Sequence, residues 1–144
     1  MSFAGINYLA VVIAAVVAWL AGAVWYGALA KPWVAAQGAT MEEFKARQEA
    51  HKGAAAYAPF IVAFVAELVM AWVLAGTLGH LGIGQVTVRN GVISAFFVWL
   101  GFVVTTMAVN NAFGGRTPML TAIDAGHWLA VLVIMGAIIG AMGV

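Results

Sequence analysis

The chain has no cysteine. That absence removes disulfide staples, thiolate metal ligands and cysteine nucleophiles, and it leaves the compartment open. Charge is almost as scarce, at 8% of residues against about a quarter in an ordinary soluble domain. The few basic residues are spread out and form neither stripe nor patch, so no nucleic-acid partner is expected. Serine occurs only as Ser2 and Ser94, and neither stands in a Gly-x-Ser-x-Gly setting, which leaves a serine nucleophile without support. The glycine-containing stretch 79–84 joins two helical patterns and so is no phosphate-cradling loop. No cofactor is implied. Proline appears only at Pro32, Pro59 and Pro118, leaving long stretches free to run as uninterrupted helix.

What is there instead is apolar surface. Hydrophobic residues make up 65% of the chain, and the mean hydropathy is +1.05. A soluble domain of 144 residues still needs a polar exterior. Lipid is the solvent that fits. Four apolar stretches, roughly Tyr8–Leu29, Tyr57–Leu78, Val88–Phe113 and Pro118–Met142, each reach the length of about 20 residues that a helix needs to cross hydrocarbon. Transmembrane strands would be about half as long and would alternate apolar with polar. The expected fold is an all-α membrane protein: one domain over 1–144, a four-helix transmembrane bundle with one short polar or amphipathic helix on the cytoplasmic side. No Lys or Arg precedes the first run, and that run is longer than a signal-peptide core, so a cleaved signal peptide is not expected.

The polar loop 31–53 is the one segment that looks water-exposed. Thr40 and Glu43 fit a capping box, and a short helix from Met41 to Lys52 follows, either solvated or lying on the membrane surface. Gly114–Pro118 reads as a turn that starts a helix, with Thr117 as N-cap and Pro118 at N1. Lys31, Lys45, Arg47 and Lys52 in the first connection and Arg116 in the third outnumber Arg89 on the other side. The positive-inside rule then places both connections in the cytoplasm and both termini outside.

Polar residues at membrane depth are expensive, at about 2.5–3.5 kcal/mol for a charged group near the centre on the insertion scale. Glu67 lies about 12 Å of helix rise beyond Pro59, and Asp124 and His127 lie about 9 and 14 Å beyond Pro118. Asp124 and His127 share a helix face that Thr121 extends toward the water, while Thr106 and Asn110 share a face of the third span and Tyr26 lies near the end of the first. These seven residues, Tyr26, Glu67, Thr106, Asn110, Thr121, Asp124 and His127, are expected to form one polar pocket open to the cytoplasm. The plainer alternative is interhelical hydrogen bonding that only packs the bundle. A metal site from Glu67, Asp124 and His127 suits zinc or manganese by ligand type, although the spacing matches no recognised motif.

Small residues mark packing faces. Ala14, Ala18 and Gly22 line one side of the first helix, and Gly136 and Gly140 form a GxxxG in the last. Either a homo-oligomer contact or packing within one chain accounts for them.

Several stretches carry a resemblance: Val24-Trp-Tyr-Gly27, Lys31-Pro-Trp33, Gly38-Ala-Thr-Met-Glu-Glu-Phe44, Gly101-Phe-Val-Val-Thr-Thr106, Asp124-Ala-Gly126 and Ile134-Met-Gly-Ala-Ile-Ile-Gly140. In this order they resemble the bacterial membrane family catalogued as domain of unknown function 1761, along nearly the whole chain. The resemblance implies a four-helix inner-membrane protein with no assigned activity. It also implies that Trp25, Tyr26, Trp33, Asn110, Asp124 and Gly126 belong to a shared pattern in which Asn alternates with Asp124, so that no obligatory proton carrier stands there.

Three functional readings follow. The first is an oligomeric structural or accessory protein of the bacterial inner membrane that contacts lipid and further copies of itself, with room for a small-molecule or ion ligand. The second is a small transporter or channel using Glu67 and Asp124, which is disfavoured by an outer half almost bare of polar groups. The third is a metal-dependent membrane enzyme.

Overall fold

The computed structural model describes residues 2–144, and all regular structure among them is helical. Helix α1 (Tyr8–Ala28) starts where the Asn7 side chain accepts the Ala10 N–H at 3.1 Å. It stops at Leu29, whose backbone leaves the helical region, and α2 (Ala30–Ala36) sets off at once. Pro32 is tolerated there because it lies in the first turn, where its missing N–H has no partner to lose. The expected polar loop 31–53 therefore opens with helix up to Ala36. α3 (Met41–Ala50) carries both hydrogen bonds of the capping box between Thr40 and Glu43. None of its residues is buried, and only Met41 and Phe44 are partly covered, so it is polar rather than amphipathic.

The second span, α4 (Ala54–Gly79), starts three residues before the expected Tyr57, because alanines 54–56 readily form the turn ahead of Pro59. The third span, Val88–Phe113, has three parts: α5 (Val88–Val98), a π-helical segment Trp99–Val104, and α6 (Thr105–Phe113). The fourth, α7 (Pro118–Met142), is capped by Thr117, which accepts the Leu120 N–H at 3.2 Å, with Pro118 in the first turn. These four spans are long and apolar enough to cross a membrane.

α7 is the centre of the bundle and packs against α5, α1 and α4. Of its apolar stretch 44% is buried inside the chain, against 6% for the third span. The small residues set these contacts. Ala14 and Ala18 are fully buried. A Cβ on Gly22 would stand 2.8 Å from Nε2 of His127. A Cβ on Gly136 would land on the backbone of Gly91, and one on Gly140 on the backbone of Thr87. Both small-residue faces are thus occupied within one chain, which decides the alternative left open by the sequence.

Candidate functional site

Three tryptophans from three different segments converge on three consecutive residues of α7. The indole N–H of Trp25 (α1) donates to the carbonyl of Ile123 at 3.2 Å, and that of Trp99 (the π-helical segment) to the carbonyl of Ala125 at 2.8 Å. Between them, the indole of Trp33 (α2) donates to Oδ1 of Asp124 at 3.0 Å, and the Tyr26 hydroxyl donates to the same oxygen at 2.8 Å. Gly126 completes the seat, since a Cβ there would meet the Trp25 ring at 2.9 Å. Each half-buried indole finds an acceptor, as a largely apolar surrounding demands.

The rest of the site extends toward the polar end of the bundle. Thr117 caps α7 and also donates its hydroxyl to the Ala36 carbonyl at 2.7 Å, tying α2 to the start of α7. Asn111 donates to the Thr121 hydroxyl at 2.9 Å. Aromatic rings run in a row: Phe44 against Trp33 (centroids 5.8 Å apart), Trp33 against Tyr26 (5.3 Å), Tyr26 against His127 (4.8 Å) and His127 against Trp128 (4.7 Å). His127 is buried, with Gly22 leaving room for its ring, and its Nδ1 has no hydrogen-bond partner.

Tyr26, Asp124 and His127 therefore share one neighbourhood, and Thr121, one turn before Asp124 on α7, bonds Asn111. Three of the expected pocket residues do not join it. Thr106 and Asn110 are exposed on the outer side of α6, and Asn111 takes the inward place. Glu67 is 2% exposed, but it sits at the middle of α4, with thirteen residues of the helix before it and twelve after. The neighbours of α1 fix its depth. Gly22 abuts His127, while Trp19 donates to the Phe60 carbonyl and Ile6 meets Gly76. On that register Glu67 lies level with Ala14 and Ala15, about 11 Å of rise from the Gly22–His127 contact. Among the described residues no three of His, Asp and Glu gather as a set able to hold a metal ion. Glu67 stands apart from Asp124 and His127, so the three are not one ligand set.

The sequence alone gave no sign that Trp99 belongs to this site; it reads as one of six scattered tryptophans of an interfacial belt. The π-helical segment explains the placement. The inward residues of the third span are Gly91, Ala95, Trp99, Val103, Met107 and Asn111, a repeat of four. At 3.6 residues per turn each four-residue step rotates by about 40°, so the face would wind away from α7. The wider i→i+5 turns across Trp99–Val104 hold it in place. The Thr105 hydroxyl occupies the carbonyl of Gly101 at 2.8 Å within this stretch.

Trp25, Tyr26, Trp33, Asp124 and Gly126, all within the stretches that carry the resemblance, thus meet in a single site. A family model, protein of unknown function (DUF1761), matches residues 9–140. The chain belongs to this family. No curated protein and no solved structure matches it. For this DUF1761 member the indole bonds make a direct prediction. Trp99→Phe keeps the ring and drops the donor to Ala125, which should lower stability by about 1 kcal/mol as read by thermal unfolding in detergent. A melting temperature equal to wild type would show that the bond contributes nothing.

Proposed function

We propose that this protein is an oligomeric accessory protein of the bacterial inner membrane, with the Asp124 site at its cytoplasmic end and both termini outside. The observation that carries the oligomer is the third span. Almost none of it is buried within the chain, and its outer side presents Thr106 and Asn110 together with Phe102, Val109 and Phe113. An outward Thr and Asn in hydrocarbon find hydrogen-bond partners on another helix. A second copy of the same face supplies them in a self-complementary way. The orientation rests on Lys31, Lys45, Arg47, Lys52 and Arg116 at the end that carries α2 and α3.

The other two readings have less support. A transport path through Glu67 and Asp124 needs the two to communicate, and about two turns of tightly packed small residues separate their levels. Metal-dependent chemistry needs a ligand set that the described residues do not assemble.

The cysteine-free chain makes the test direct. A single cysteine at Phe102 should cross-link two copies in native membranes, whereas one at Val12, on the far side of the bundle, should not. Thr106→Val combined with Asn110→Leu should shift the purified oligomer toward monomer in mild detergent. A wild-type protein that runs strictly as a monomer, with no cross-link at Phe102, defeats the proposal.

A further inference from the structure

The Asp124 carboxylate has a charge that the fold leaves uncancelled. Both of its hydrogen-bond donors, the Tyr26 hydroxyl and the Trp33 indole, are neutral, and both go to Oδ1. Asp124 is only half-buried, and no hydrogen bond reaches Oδ2. A carboxylate held so rigidly in an apolar setting attracts a cation.

The surroundings select which kind. Hard metal ions take six or more oxygen ligands, and this site offers one carboxylate. What it offers in quantity is aromatic surface: Tyr26 and Trp33 beside the carboxylate, with Phe44 and His127 continuing the row on either side. Ring faces attract cations within about 6 Å of their centroids, and this suits an organic ammonium group better than a hydrated metal. The unpartnered Nδ1 of the buried His127, next along the row from Tyr26, is a second independent feature, because in the Nε2–H tautomer it is a buried acceptor that the fold leaves without a donor. A carboxylate oxygen and an imidazole nitrogen both ask for N–H donors. A primary ammonium has three; a quaternary one has none.

We propose that Asp124, with Tyr26, Trp33 and His127 around it, binds a primary ammonium group. That chemistry comes from two sources, the headgroup of an aminophospholipid or a soluble primary amine. The site lies about 9 Å of helix rise from the start of α7 and is flanked by the polar α3, a depth that an aminophospholipid headgroup reaches. The inference goes beyond the oligomeric role and does not depend on it, since all of these residues come from one chain.

The test uses the full chain in detergent, with tryptophan fluorescence as readout because Trp25 and Trp33 line the site. Short-chain phosphatidylethanolamine should give a saturable change that phosphatidylcholine and phosphatidylglycerol do not. Asp124→Asn should weaken that binding at least tenfold while leaving the melting temperature close to wild type, because the amide oxygen still accepts from Tyr26 and Trp33. His127→Phe, which keeps a ring and removes the acceptor, should weaken it by a smaller factor. Saturation by ethanolamine at the same concentration as the lipid identifies a soluble amine; saturation by the lipid alone identifies a headgroup. Equal responses to phosphatidylcholine and phosphatidylethanolamine, unchanged binding in Asp124→Asn, or no saturable response to either amine overturns the proposal. A purely oligomeric failure, seen as monomers that still bind the amine, leaves it standing.

Discussion

Gly136→Ala is expected to prevent the native bundle from forming, or to lower its melting temperature sharply. Overpacking a core typically costs about 1–3 kcal/mol, and much of that modest cost reflects side chains that swing aside. No side chain is available to move here. A Cβ on Gly136 meets the backbone of Gly91, and a Cβ on Gly91 meets the backbone of Gly136. The whole of α5 has to back away from α7, so the cost should exceed that range. Gly27→Ala is the matched control, because a Cβ there meets nothing within 4 Å and alanine favours the helix by roughly 0.5–1 kcal/mol. Thermal unfolding and the folded fraction eluting in detergent check both. The same pair discriminates two uses of a GxxxG. If Gly136 and Gly140 joined separate copies, Gly136→Ala would change oligomer size and spare the monomer's stability. Loss of stability at unchanged oligomer size is the expected outcome.

The contrast between Gly136 and Thr106 shows what in this chain is legible without coordinates. Hydropathy over about twenty residues is a one-dimensional property, so the four spans, the Thr40 capping box and the Thr117–Pro118 helix start are all readable directly. Small residues at a spacing of four announce close packing, although only the partner backbones of Gly91 and Thr87 show that the contact is internal. Lateral position in the third span is a different matter. Thr106 and Asn110 share a face and are expected inward because they are polar, whereas the inward face, with π-helical turns at Trp99–Val104, runs through Trp99, Val103, Met107 and Asn111. Nothing in the residues 99–104 themselves marks a wider turn. Depth along α4 fails for a simpler reason: Glu67 stands at the middle both of the expected span Tyr57–Leu78 and of α4 (Ala54–Gly79), so its rise counted from Pro59 does not place it beside Asp124. The site around Asp124 was half legible. Tyr26, Asp124, His127 and Thr121 stood out as polar groups that lipid does not welcome, whereas Trp25, Trp33 and Trp99 are amphipathic and pass for belt residues until their N–H groups are seen to have partners.

Glu67→Leu is expected to stabilise the protein. The Glu67 side chain is 2% exposed, and its Oε2 is buried without a hydrogen-bond partner. A buried polar group left unsatisfied costs about 1–3 kcal/mol, and a leucine of similar volume removes that cost at a position the bundle already encloses. Thermal unfolding in detergent should therefore rise for Glu67→Leu. Glu67→Gln should gain little, because its amide brings two donors that need partners as much as the carboxyl does. A leucine variant less stable than wild type would mean that the carboxyl has a partner, such as an ordered water or a residue of a second copy. The sign of this one change therefore separates a group that only burdens the fold from one that another molecule completes. Asp124 presents the opposite case, since Asp124→Ala strands the Tyr26 hydroxyl and the Trp33 indole together. The two acids of the bundle thus respond to truncation with opposite signs: one is unsatisfied at the middle of α4, and the other is the acceptor that Tyr26 and Trp33 share.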